Sequence, residues 1–122
     1  MTATNPTAAQ KAWLERVSQY AEEHGSFPKY NVYGFQLHHV MGRTARHNKV
    51  KIGHWFVLPI EAKYHDISSN NHFNVTNHRK RYSIEFGWQR NQFAAMCAVI
   101  RREDGSLPFD DDVYHAILDT GY

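Results

Sequence analysis

Cysteine is nearly missing from the chain: there is one, Cys97, in 122 residues. A lone thiol excludes an intramolecular disulfide and any metal site built on two or more thiolates, such as a four-cysteine zinc site. Long apolar runs are missing too. The longest, Phe93 to Ile100, is eight residues, against the ~20 needed to span a bilayer, so no transmembrane helix is expected. The opening Met-Thr-Ala-Thr-Asn-Pro has neither the basic start nor the apolar stretch of a secretion signal, and a cytoplasmic location is the default expectation. Internal repeats and low-complexity tracts are absent. Excess charge is small, +2 with a pI near 8.7, too little by itself to indicate nucleic acid.

What is present suffices for one core. With 42% apolar residues, including three tryptophans, seven tyrosines and seven phenylalanines, a chain of this length is expected to form a single domain over residues 1–122. The first part, residues 1–33, reads as a helix and a connector. Thr7 and Gln10 are spaced as a capping box, Gly25 is a stop, and Trp13, Leu14, Val17, Tyr20 and Ala21 recur at helical spacing. Phe27 to Gly34, with Pro28 and three aromatic rings, reads as a connector lying over the core. Two β-prone runs follow, Gly34–Val40 and Trp55–Ile60, expected to pair antiparallel across a long loop. A short helix is expected over Glu61–His65, and a loop from Ser68 to Asn77. Residues 79–122 then read as helices: one capped by Thr76 or Asn77 and broken near Gly87, one with a Phe93, Met96, Cys97 and Ile100 stripe, and one opened by Asp110–Asp112. The fold class is therefore α+β.

Histidine is the compositional oddity. Of nine, five fall within 28 residues: His38, His39, His47, His54 and His65. The imidazole is both the commonest metal ligand and the readiest general base near neutral pH, so such clustering points to chemistry. Adjacent strand residues face opposite ways, yet at a strand end both His38 and His39 can reach a common site. A divalent cation held by His38 and His65, with His39 left as a base, suits phosphodiester hydrolysis. The loop between the strands carries Arg43, Arg46, Lys49 and Lys51 and no carboxylate from Gly42 to Gly53. Beside the histidine pair it is expected to meet DNA phosphates, which position a nucleic acid without reading its sequence.

These residues resemble the ββα-metal, or HNH, endonucleases. Leu37-His38-His39-Val40 matches that superfamily's His-His pair at the end of the first strand. Val57-Leu58-Pro59-Ile60 followed by Tyr64-His65 matches its strand-to-helix step. Within the superfamily the chain looks most similar to phage recombination-enhancement, RecA-dependent nucleases, a similarity that takes in Arg79-Lys80-Arg81-Tyr82 and Glu85-Phe86-Gly87 and spans Gly34 to about Phe93. The resemblance implies a small β-hairpin and helix forming a ββα-metal core over residues 34–78, surrounded by additional helices. It also implies a DNA endonuclease of phage or prophage origin, in a bacterial host, dependent on magnesium, manganese or zinc. His39 becomes the general base, His38 and His65 the metal ligands, His54 the counterpart of the middle polar catalytic position, and a RecA-type recombinase filament a further partner. Glu61 and Tyr64 stand where many relatives carry cysteines, so no second zinc site is expected; the long basic N-terminal tail of those relatives is not found either.

Alternatives follow from the same residues. A non-catalytic DNA-binding or recombination-accessory protein keeping this fold is one, and a protein whose histidines hold a purely structural metal is another. His72 and His78 are candidates for a further ligand, His54 for a phosphate contact, and Cys97, on an apolar stripe, for a buried small hydrophobe.

Overall fold

A computed structural model describes residues 5–24, 34–65 and 71–122 of the chain. The expected aromatic connector thus lies outside the described residues, apart from Gly34, as do the first residues and the start of the loop before Asn71. Helix α1, Ala8–His24, opens on the capping box: Thr7 N donates to Gln10 Oε1 at 2.8 Å and Gln10 N to Thr7 Oγ1 at 3.1 Å. Its buried face is Trp13, Val17 and Ala21.

Strands β1, Phe35–His39, and β4, Val57–Glu61, pair antiparallel, with His38 opposite Leu58 and His39 opposite Val57. The long connection is itself ordered. It holds a two-residue ribbon, β2 at Arg46–His47 against β3 at Val50–Lys51, then a 3-10 turn at Gly53–Trp55. Asn48 and Lys49 make the ribbon turn at positive φ, +51° and +67°. β4 runs directly into α2, Ala62–His65. Three helices complete the domain: α3, Arg79–Phe86, α4, Gln89–Asp104, and α5, Asp111–Leu118. The class is α+β.

Helix ends explain the boundaries. Asp110 accepts from Val113 N at 3.1 Å and so caps α5. The residue at the start of α3 is His78, which makes no side-chain cap. Thr76 and Asn77, expected there as caps, instead donate their backbone N–H groups to Oδ1 of the fully buried Asn74, both at 2.9 Å. The core is aromatic at its centre. Phe93 of α4 meets Phe56 at 5.2 Å, Phe109 at 5.9 Å and Trp13 at 6.4 Å between ring centroids. Trp13 also donates from Nε1 to the Trp55 carbonyl at 3.0 Å, which ties α1 to the turn that carries His54.

Candidate active site

β1 ends at His39, and the alternation of side chains along it decides what each histidine can touch. Gln36 and His38 share one face. His65, projected from α2, comes down on that face: its ring lies 5.0 Å from that of His38, inclined at 67°, and its Nδ1 is hydrogen-bonded to Gln36 Oε1. His39 points the other way, to the 3-10 turn, where its Nε2 meets His54 Nδ1 at 2.9 Å. His38 and His39, one from each pair, both line a cleft of about 290 Å³ whose other walls include Arg79, Gln89 and Tyr122.

Burial shapes the protonation. His38 is buried, and desolvation, then the neighbouring His65 and His39, lower its pKa to about 4 despite the favourable Gln89 side chain. His39 is lowered to about 4 as well, by burial first and then by His54, Arg43 and His65. At neutral pH both imidazoles are therefore neutral, each with a lone pair to offer.

The donor set suits a divalent cation. With Nδ1 of His65 on Gln36, a ligand bond from that ring is made through Nε2, the arrangement by which an outer carbonyl fixes the tautomer of a ligating imidazole. Gln89, at the start of α4, is 1% exposed, and its Oε1 is buried without a hydrogen-bond partner. The Gln89 side chain lies close enough to His38 to favour a proton on that ring. A cation between His38 and His65 would take two imidazoles from the protein, one fewer than the three protein ligands of most catalytic zinc sites. Among the described residues, the grouping of three potential ligands within mutual reach is elsewhere, at the exposed Glu23, His24 and Glu103. There the carboxylates are already engaged: Glu103 pairs with Arg16 and His24, both at 2.7 Å, tying α1 to α4.

The other expected residues divide. His54 is 3% exposed; standing behind His39, it is placed to orient that ring. Arg43, Arg46, Lys49 and Lys51 are all exposed on the ordered loop, with Arg43 near enough to His39 to influence its charge. The loop is less uniformly basic in space than in sequence, since Asp119 accepts from Asn48 Nδ2 at 2.8 Å and lies 3.2 Å from His47 Nε2. His72 and His78 are exposed and form a separate pair, 6.2 Å between rings, with Arg81 at 3.0 Å from His72 Nδ1. Arg79, by contrast, reaches the cleft and stacks on Tyr122 at 4.4 Å. Gln36, Gln89 and Tyr122 have no counterpart among the residues singled out from sequence. Gln36 had a signal, being two residues before His38 on a strand. No protein-family model, curated protein or solved structure matches the chain.

Proposed function

We propose that the chain is a divalent-metal-dependent DNA endonuclease with a ββα-metal core made of β1, β4 and α2. The observation that carries this reading is that His38 and His39 line one cleft while each is paired with a further histidine, His38 with His65 and His39 with His54. Bound between His38 and His65, a magnesium, manganese or zinc ion supplies Lewis-acid stabilisation of the charge that builds on the scissile phosphate and the leaving 3′ oxygen. His39 takes the proton of the attacking water. In the tautomer in which its Nε2–H donates to His54 Nδ1, its Nδ1 carries the lone pair, and the imidazolium formed keeps that hydrogen bond. His54 is thus a positioning residue. Arg79 at the cleft and the exposed cations of the 42–53 loop hold phosphates. Recombination as the setting, a phage source, a bacterial cytoplasm and a RecA-type filament as partner rest on the sequence resemblance alone.

A second reading has one observation in its favour. Among the described residues, no third imidazole, thiolate or carboxylate closes with His38 and His65 into a ligand set, which also suits a DNA-binding module without turnover. A plasmid-nicking assay separates the two, using chelator-stripped protein, added magnesium, manganese or zinc, and His39→Ala alongside. Metal-dependent nicking lost in His39→Ala supports the nuclease. DNA binding without nicking under any metal supports the module, and equal nicking by both proteins removes His39 from the role of base.

A further inference from the structure

We propose that the groove next to the histidine cleft is a stacking platform for an unpaired DNA base, with Trp88 as the stacking ring, so that the form of DNA presented to His39 is single-stranded. This deepens the endonuclease reading and rests on it for the destination of the strand.

Trp88 is unusual for its position. Gly87 takes a φ of +90° between α3 and α4, and Trp88 follows in extended conformation at the head of α4, 47% exposed. Trp13, in contrast, is 1% exposed and Trp55 is partly buried. The groove beside Trp88 measures about 530 Å³ and is lined by Arg79, Lys80, Ser83, Ile84, Trp88 and Gly121. No lining side chain is acidic. Arg90 lies over the Trp88 ring at 5.0 Å, held there by a 2.6 Å bond from its Nη1 to the Thr120 carbonyl. Arg79 is the shared wall: it lines both this groove and the cleft of His38 and His39.

An exposed indole between guanidinium and ammonium groups is the chemistry that binds single strands, because every base has a face to stack and every nucleotide a phosphate to neutralise. A duplex buries those faces in its own stack. A protein partner would be expected on a wider apolar surface. Of the three large hydrophobic residues exposed among the described residues, Phe86 is already packed against Tyr64 and Tyr82, at 5.1 and 4.9 Å, which leaves Ile84 and Trp88 among cations. A strand lying along the groove passes Arg79 and delivers its next phosphates to His39.

The test is binding of oligothymidylate of about twelve nucleotides, a length within the range covered by single-strand sites, and of a duplex of equal length, in chelator so that no cleavage occurs. Tryptophan emission and the anisotropy of a labelled strand are both read. Oligothymidylate should quench the wild type, and Trp88→Phe should lose most of that quench. Trp88→Ala should weaken single-strand binding by roughly 5- to 150-fold, the equivalent of ~1–3 kcal/mol of stacking, while leaving duplex binding unchanged. Trp88→Tyr, which keeps a stacking ring, should restore affinity. Equal affinity of Trp88→Ala and wild type for the single strand, or an equal loss on duplex, overturns the platform. Cleavage of the same labelled single strand, with magnesium, manganese or zinc restored, keeps the two ideas apart. Cleavage with no dependence of binding on Trp88 removes the platform and leaves the nuclease; Trp88-dependent binding without cleavage of the strand under any of these metals removes the nuclease and leaves the platform.

Discussion

Replacing Gln36 by leucine tests whether the His38 and His65 pair is built to hold a cation. The substitution keeps the size of the side chain and removes one acceptor, the Oε1 that engages Nδ1 of His65. Gln36 is exposed on β1, so the fold should lose less than about 1 kcal/mol, the usual worth of one hydrogen bond at a surface. The metal should lose more. Without the amide, the contact that keeps the proton of His65 on Nδ1 is lost, and the proton shifts more readily to Nε2, the nitrogen that would ligate. Removing such an outer partner weakens metal affinity by ~10- to 100-fold, or ~1.4 to ~2.7 kcal/mol. Cobalt titration followed by its visible absorption, with zinc in competition, measures this without DNA or turnover. Gln36→Glu should bind at least as tightly as wild type, since a carboxylate is the stronger acceptor and makes His65 more basic. Equal affinity of Gln36→Leu and wild type, in a protein that does bind the metal, would refute the tautomer argument; no binding by wild type would refute the metal site itself.

The remaining expectations concern the core and the charge. Phe56, fully buried and 5.2 Å from Phe93, should cost ~3–5 kcal/mol on truncation to alanine, read as a fall in the denaturant midpoint; a loss under about 1 kcal/mol would contradict its place at the centre of the core. Burial pushes the Cys97 thiol up from 9.0 to about 12, and the Tyr82 hydroxyl up from 10.0 to about 12. Both groups hold their proton more tightly folded than unfolded, so their contribution is complete below pH ~9 and falls by up to ~1.4 kcal/mol per pH unit for each group as the pH rises towards 12; flat stability from pH 8 to 11 would contradict that sign. Native Cys97 should also resist alkylation until the chain unfolds. On duplex DNA, phosphate contacts by Arg43, Arg46, Lys49 and Lys51 give a salt slope of about −3 to −4, and each single alanine variant should flatten it by ~0.9. Four unchanged slopes would take the loop out of the interface.

Local rules made much of the fold legible. The Thr7 and Gln10 box, the Phe93, Met96, Cys97 and Ile100 stripe and the acidic start of the last helix at Asp110–Asp112 all depend on residues within two turns of one another, and each is realised. The pairing of β1 with β4 was legible from composition and turn residues. The β2 and β3 ribbon was not, because its turn puts Asn48 and Lys49 at positive φ and lysine gives no sign of such a turn. Of the candidate site, the first histidine pair follows from strand alternation once the strand end is known. Gln89 could not be found that way: it lies 51 residues beyond His38 in the chain, and only the docking of α4 against β4, the partner strand of β1, brings the two together. Trp88 reads in sequence as a break between helices, since nothing local distinguishes a ring that will be exposed from one that will be buried.

The strand end also explains how two adjacent histidines acquire separate environments. Alternation sends His38 to His65 and His39 across to His54, so the second pair depends on where the 3-10 turn sits. That turn is fixed by the basic loop. Ile52 and Gly53 both donate to the Ala45 carbonyl, at 3.0 and 3.1 Å, and Gly53, at a φ of +48°, packs so closely that a Cβ there would lie 2.8 Å from the Arg43 carbonyl oxygen. Glycine is required twice over, by the conformation and by the space. The backbone of Arg43 therefore braces the residue immediately before His54, and the Trp13 bond to the Trp55 carbonyl braces the residue after it. On the endonuclease reading, a phosphate drawn to Arg43 would engage the same short stretch of chain that sets the His39 and His54 contact. The cations of this loop and the orientation of the His39 ring belong to one mechanical unit, and loosening the loop should disturb both together.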